Sequence, residues 1–155
     1  MAGLERVDAW MREIGPLLGL EQVTLYDSGR EWALVVDDAT VVYVDCIAGG
    51  ERLMLSIELG RPPEASRHRV YELLLLYNHA WPDTGGVRMA LESEGGPVVQ
   101  LFETSTAELD PIGLGNLVGS FIALARHWRD GITRGTGDGL PVADDRMLLL
   151  GGIRA

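Results

Sequence analysis

The amino-acid sequence predicts an α+β protein in which an antiparallel twisted sheet is flanked by three helices, in the order α-β-β-β(-β)-α-β-β-α. Apolar and polar residues alternate in several short stretches, as they do in strands with one buried face. Three longer stretches repeat their apolar residues at helical spacing instead. Turns rich in glycine and aspartate separate neighbouring strands by few residues, which favours hairpins and therefore antiparallel pairing.

The first predicted element is an amphipathic helix near the start of the chain. Its apolar positions recur every three or four residues, at Leu4, Val7, Met11 and Ile14. Gly15-Pro16 should end this helix, because proline cannot donate the amide hydrogen bond that a helix interior needs.

Three or four strands should follow the first helix. Residues 23–25 and 32–36 are predicted to form a hairpin around the turn at Asp27-Ser28-Gly29. The β-branched and aromatic stretch 41–44 indicates a further strand. Residues 53–59 alternate between apolar and polar residues and indicate the last strand of this group.

A second helix is predicted from Glu64 to Ala80, after the break at Gly60-Arg61-Pro62-Pro63. Its apolar residues cover an arc of roughly 160°, whereas a helix on one sheet needs a stripe of only about 100°. The residues of this arc are Val70, Leu73, Leu74, Leu76, Tyr77, Ala80 and Trp81, with Tyr71 and Leu75 outside it. The surplus favours a second buried surface against a partner subunit, and the alternative is a helix sunk deeper in its own core.

The last predicted elements are a hairpin of residues 87–91 and 98–102 and a third helix that Asp110-Pro111 opens. Aspartate suits the N-cap and proline the first helical position. The buried stripe comprises Leu114, Leu117, Val118, Phe121, Ile122, Ala125 and Trp128. Gly131 is the predicted C-cap, which divides the chain into a domain of residues 1–131 and a glycine-rich tail of residues 132–155.

The composition argues against several classes of protein. The formal net charge is -10, from 23 acidic and 13 basic residues, all of them arginine. A nucleic-acid partner is therefore not expected, whereas a partner with a basic segment would be attracted. The sequence has no signal-peptide pattern, no stretch long enough to insert in a membrane, and one cysteine, Cys46. These features together predict a cytoplasmic protein.

No catalytic, cofactor or metal site is predicted. His68, His79 and His127 lack the spacing of metal ligands, and Cys46 has no companion. The glycines at 113, 115 and 119 do not directly follow a strand, as a dinucleotide-binding loop would require. The chain has no lysine and hence no phosphate-binding loop of the Walker type. A binding protein is therefore favoured over an enzyme.

The order of elements and several local patterns resemble the class I type III secretion chaperones, the Tir-chaperone family. The patterns are the amphipathic start 4–14, Leu25-Tyr26-Asp27-Ser28-Gly29, the stretch 32–38, Leu53-Met54-Leu55-Ser56-Ile57, the leucine-rich Leu73-Leu74-Leu75-Leu76-Tyr77-Asn78, and Ala125-Arg126-His127-Trp128. They cover most of the chain, residues 4–128, and leave the tail unmatched.

The resemblance implies a homodimer that binds the extended N-terminal segment of a secreted effector without ATP, keeping it soluble and export-competent. Strand addition at a sheet edge and apolar pockets would hold the segment. The implied dimer residues are Val70, Leu73, Leu74, Tyr77, Trp81, Val87, Met89 and Leu91. The implied effector-binding residues are Val7, Met11, Trp32, Leu34, Leu53 and Leu55, for which a place in the core is the alternative.

Two other functions stay open from the sequence. One is a regulatory or protein-interaction domain of the same fold with no role in secretion. The other is an enzyme or small-ligand binder, which would need a deep pocket with convergent polar groups.

Overall fold

The computed structural model describes residues 2–26 and 30–135. The turn predicted at 27–29 and residues 136–155 of the predicted tail lie outside this range. The helices are α1 (Ala2–Leu18), α2 (Arg67–His79) and α3 (Pro111–Arg134). The strands are β1 (Gln22–Tyr26), β2 (Glu31–Asp37), β3 (Thr40–Ile47), β4 (Arg52–Gly60), β5 (Arg88–Leu91) and β6 (Val98–Ser105). The predicted α+β class is confirmed, with four strands before the second helix.

The six strands form one antiparallel sheet in the order β1-β2-β3-β4-β6-β5. The register places large apolar side chains in rows across neighbouring strands. In one such row, Leu25 pairs with Trp32, Trp32 with Val44, and Val44 with Leu55. Because side chains alternate between the two faces of a strand, such rows give the sheet one apolar face.

The chain divides into two compact units, and the first comprises the described residues of Met1–Ile57 and Phe102–Gly119. In this unit the start of α1 lies directly on the turn that follows β3. A Cβ atom on Gly50, whose φ is +99°, would lie within 2.5 Å of the Gly3 backbone. Thr106 fixes the same turn, since its hydroxyl donates to the Gly50 carbonyl at 2.7 Å. Only glycine satisfies both the positive φ and the close approach.

The second unit comprises the described residues of Glu58–Leu101 and Ser120–Ala155. Side chains of β6 and α3 join its elements through main-chain carbonyls. The Gln100 carboxamide donates to the Phe121 carbonyl at 2.9 Å, and Arg129 donates to the Glu58 carbonyl at 2.7 Å. The rings of Tyr77 and Trp128 pack edge to face, with centroids 4.9 Å apart. These contacts hold α2 and the second half of α3 in a common core.

The prediction that Gly15-Pro16 ends the first helix is wrong, because α1 continues to Leu18. Proline removes one hydrogen bond near the end of a helix, where little helix remains to be disrupted. The helix ends instead in a Schellman motif at Gly19, whose φ is +61°. In this motif Leu20 N–H donates to the Gly15 carbonyl at 3.0 Å.

The ends of the other helices also depend on capping groups. The Asp110 carboxylate accepts from the Gly113 N–H at 2.6 Å, which confirms the predicted N-cap of α3. Gly131 is not the C-cap, because α3 runs on to Arg134 and Gly135 follows it with a φ of +65°. The second helix begins as a turn of 3-10 helix at Glu64–Ser66, and the α-helix starts at Arg67.

Candidate protein-binding surfaces

Large apolar side chains are exposed in both units. Two groups of these side chains can be distinguished. The α2 surface, in the second unit, consists of Leu75, Leu76, Trp81 and Leu91, which are 70%, 59%, 67% and 40% exposed. The β1 surface, in the first unit, consists of Leu17, Leu25 and Tyr26, which are 59%, 47% and 51% exposed. Exposed apolar groups of this kind are typical of protein interaction sites.

The α2 surface arises because this helix is apolar on more than one side. Val70, Leu74 and Tyr77 are buried and define its inner face. At about 100° per residue, Leu75 and Leu76 lie on the two flanks of the outward side, each well over 100° from the inner face. Tertiary packing within the chain therefore covers only part of the apolar residues on α2.

The residues predicted for the dimer interface differ widely in exposure. Val70, Leu74, Tyr77, Val87 and Met89 are buried, Leu73 is half-buried, and Trp81 and Leu91 are exposed. The exposed leucines at 75 and 76 were not among the predicted interface residues. The position of Leu75 outside the main apolar arc was the signal that could have identified it. Burial also raises the pKa of the Tyr77 phenol, so this side chain stays protonated.

The outer edge of β5 lies beside the α2 surface and carries unusual side-chain contacts. The Asn78 carboxamide donates to the Met89 carbonyl at 2.8 Å and accepts from the Met89 N–H at 2.9 Å. The Thr84 hydroxyl donates to the Val87 carbonyl at 3.0 Å, and the Val87 N–H donates to the Thr84 carbonyl at 3.1 Å. Met89, an outward position of this end strand, and Val87, the residue just before the strand, are thereby bonded.

The six residues predicted for effector binding are buried in the single chain. Their exposed fraction is at most 1%, for Val7, Met11, Trp32, Leu34, Leu53 and Leu55. They belong to the hydrophobic core of the single chain. The exposed apolar residues on the same elements are those of the β1 surface, which the sequence did not single out.

The β1 surface combines a helix end with an end strand. Leu17 lies in the last turn of α1, and Leu25 pairs in register with the buried Trp32. Tyr26, the last residue of β1, pairs with Glu31. Apolar side chains thus flank a strand whose main chain pairs with β2 alone, as far as the described residues show.

An acidic pair lies on β2 and β3 next to the β1 surface. Glu31 is directly opposite Asp45 in the strand register, and burial raises the pKa of the Asp45 carboxyl. Like charges in opposite positions of a strand pair destabilise the pair, so a basic partner would be favourable there. The neighbouring Cys46 is buried, and burial raises the pKa of its thiol more than the nearby Arg30 lowers it.

Metal chemistry and membrane insertion find no support in the residues that the structure describes. Within 2–26 and 30–135, no three His, Cys, Asp or Glu side chains are grouped closely enough to hold a metal ion. None of the helices in these ranges is both long and apolar enough to cross a membrane.

The fold and its exposed apolar surfaces together define a protein-binding α+β domain. The sequence matches the Tir chaperone protein (CesT) family over residues 10–129. The chain therefore belongs to the Tir chaperone family, as the sequence patterns indicated. No curated protein sequence matches the chain closely enough to count as a relative.

Solved structures with the same fold include two complexes. A chain of the ExsC–ExsE complex is 18% identical with a TM-score of 0.69, and the match covers 83% of this chain and 95% of that chain. A chain of the HopA1–SchA chaperone–effector complex is 15% identical with a TM-score of 0.66, and the match covers 84% and 98%. E. coli YbjN, described as a candidate transcription regulator, is 14% identical with a TM-score of 0.54, over 81% and 90%.

Proposed function

We propose that this protein is a cytoplasmic type III secretion chaperone that binds the extended N-terminal segment of a secreted effector. The observation that carries the proposal is the pair of exposed apolar surfaces, in a chain that belongs to the Tir chaperone family. Each surface offers a different kind of contact. The α2 surface is suited to a second copy of the chain, and the β1 surface is suited to an extended client.

The α2 surface supports a homodimer. In the single chain Leu75, Leu76 and Trp81 are largely exposed, and Leu91 on β5 is 40% exposed. Burying one such side chain contributes about 1.5–3 kcal/mol, and aromatic anchors are frequent hot spots of interfaces. In this proposal Trp81 and Leu91 contact the second copy directly. The other predicted residues support the interface from within the subunit, and they are Val70, Leu73, Leu74, Tyr77, Val87 and Met89.

The β1 surface supports client binding by strand addition. An extended segment that pairs with an end strand gains main-chain hydrogen bonds and places alternate side chains on one face. Leu17 and Leu25 would contact those side chains, and Tyr26 would contact the segment near the acidic pair. The buried residues predicted for the effector site, such as Trp32 and Leu34, would then shape the surface from beneath it.

Charge and composition set further features of the proposed chaperone. The net charge of -10 would accelerate association with a basic client segment, and this effect would weaken with salt. The chain lacks the lysine of a phosphate-binding loop. Binding energy alone, without ATP and without catalysis, would keep the client soluble.

A regulatory role for the same fold is the second candidate. It is favoured by the structural likeness to E. coli YbjN. In that case the surfaces would hold a stable partner that is not exported. Identification of the partner separates the two functions.

The test is a pull-down of the native protein from its source cells, with mass spectrometry of the partners and light scattering of the eluted complex. We expect two copies of the chain with one exported protein, protected from proteolysis at its N-terminal segment. Leu25→Glu should abolish capture, whereas Ile112→Glu, at an apolar site 66% exposed on α3, should not. Capture of a protein that stays in the cell, or equal loss in both variants, would contradict the proposal.

A further inference from the structure

The two end strands of the sheet differ in what lies along their outer edges. β1 pairs with β2 and β5 pairs with β6, and these strands stand at opposite ends of the strand order. An end strand offers its outward N–H and C=O groups to any extended chain that approaches. The groups that already occupy those positions therefore determine where a strand can be added.

Alternate residues of β5, together with Val87 just before the strand, direct their main-chain groups outward. The Glu92 N–H donates to the Pro97 carbonyl at 3.0 Å, so Glu92 faces β6 across the hairpin. Main-chain direction alternates along an antiparallel strand. Val87, Met89 and Leu91 therefore direct their N–H and C=O groups away from β6.

Side chains from the preceding segment already bond two of these three positions. The Asn78 carboxamide bonds both the N–H and the carbonyl of Met89, as a residue of an opposing strand would. Thr84, which is fully buried, bonds both groups of Val87 through its hydroxyl and its own carbonyl. The third outward position, Leu91, lies at the hairpin end of the strand. An approaching segment would have to displace four hydrogen bonds in order to gain the same number.

The outer edge of β1 differs in both respects. Within residues 2–26 and 30–135 its main chain pairs only with β2, over five register positions from Gln22 to Tyr26. Exposed apolar side chains, Leu25 and Tyr26, stand beside this edge. A segment added here gains hydrogen bonds and apolar contacts without displacing a bonded side chain.

We propose that Asn78 and Thr84 close the β5 edge to strand addition, which leaves β1 as the edge for the client binding proposed above. The occupant of β1 is an extended client segment with apolar residues at every second position, a choice that rests on the proposed chaperone function. The same closure prevents two copies of the chain from pairing through β5. Contacts between copies at the α2 surface are then made by side chains.

Hydrogen exchange on the unmodified protein tests the closure directly. The amides of Val87 and Met89 should exchange slowly without any ligand, because both are bonded, and the outward amides of β1 should exchange quickly. The probe is a synthetic seven-residue peptide, with five alternating valine and threonine residues to match the five residues of β1 and an arginine at each end. At a free concentration about ten times its Kd, it should slow exchange in β1 about tenfold and leave β5 unchanged. Protection of β5, or none in β1, would overturn the assignment.

Two variants test the roles of the closing side chains. Asn78→Ala should speed exchange at Met89, because it removes the acceptor of the Met89 N–H. The near-isosteric Thr84→Val should free the Val87 carbonyl and leave exchange at Val87 unchanged, because the Val87 N–H stays bonded to the main-chain carbonyl of Thr84. In the double variant the probe should protect both strands, and the bound ratio should rise from one to two peptides per chain. Asn116→Ala, an exposed asparagine of α3, is the matched control and should change neither result. If Asn78→Ala does not fold, exchange in the unmodified protein with and without the probe still decides the question. A ratio of one in every folded variant would refute the closure.

These results separate the closure from the proposed function. A captured exported protein that protects β5 would overturn the edge assignment and leave the chaperone function standing. If the variants open the β5 edge but the pull-down finds no exported partner, the edge assignment would stand and the chaperone function would be contradicted.

Discussion

The helices α2 and α3 are both rich in apolar residues, yet they use them differently. On α3, Leu114, Leu117, Val118, Phe121, Ile122, Ala125 and Trp128 are all buried. On α2 a buried face of Val70, Leu74 and Tyr77 is accompanied by two leucines that stand mostly in water. The chain itself covers the apolar stripe of α3, whereas it leaves Leu75 and Leu76 of α2 exposed.

This difference shows that apolar content does not by itself distinguish a core helix from an interface helix. The angular spread of the apolar residues is more informative, because one sheet can cover only a limited arc. Apart from Ile112 in its first turn, α3 confines its large apolar residues to one side, whereas α2 distributes them around most of its circumference. The comparison predicts that substitutions on α3 act on folding and that those on the outer side of α2 act on association.

The largest expected effect is the loss of a core side chain from α3. Phe121→Ala should lower the free energy of unfolding by about 3–5 kcal/mol, since it removes a fully buried aromatic ring and leaves a cavity. Ile112→Ala on the same helix removes a largely exposed side chain and should cost less than about 0.5 kcal/mol. Urea denaturation measures both, and similar losses in the two variants would contradict the assignment of α3 to the core.

A substitution on the outer side of α2 should separate association from folding. Leu76→Arg should weaken the dimer at least about tenfold by sedimentation, because it places a charge in the proposed interface. The same variant should keep the stability of the subunit within about 0.5 kcal/mol. Leu74→Ala, two positions earlier and buried, should instead destabilise the subunit by about 2–5 kcal/mol. An unchanged dimer of Leu76→Arg would break the comparison between the helices.

The starts of the two helices provide a finer test. The Asp110 side chain caps α3, whereas no side-chain cap bond is found at Ser66 before α2. Asp110→Ala should therefore cost about 1 kcal/mol, and Ser66→Ala should cost little at that helix start. Thermal melts at matched pH measure both changes, and equal losses would show that the cap bond at Asp110 contributes nothing.

The smallest expected effect lies outside both helices, at Asp45. Burial raises its pKa in the folded protein above the ordinary value of 3.8, so folding penalises the charged form. The cost is fully present above the folded pKa and disappears as the pH falls below 3.8. Asp45→Asn should therefore raise the melting temperature slightly at neutral pH and not in acid. A gain that is independent of pH would exclude this cause.

The strands could be predicted from the sequence because their period of two is a local property of the chain. The caps at Asp110 and the order of elements were predictable for the same reason. The helix end predicted at Gly15-Pro16 was wrong because the energetic cost of proline depends on how much helix remains beyond it, and the local pattern does not specify this. The C-cap predicted at Gly131 was wrong because a glycine forms this kind of C-cap when its φ is positive, as it is at Gly135.

The candidate surfaces were harder to predict than the fold. Residues such as Leu53 and Leu55 were identified as apolar and alternating, but alternation does not reveal which sheet face is covered. Leu17 lies in the last turn of α1, beyond the predicted end of that helix, so its exposure could not be inferred. The contacts of Asn78 and Thr84 with β5 depend on how the segment after α2 turns back, which no local pattern in the sequence specifies.

The α2 surface also gives this protein an intrinsic optical reporter. Of the four tryptophans, Trp10, Trp32 and Trp128 are buried, and Trp81 alone is largely exposed. Aqueous quenchers such as iodide should therefore act almost entirely on Trp81, and covering it should shift its emission to shorter wavelength. Assembly could then be followed in real time and without a label, by fluorescence from a single known position.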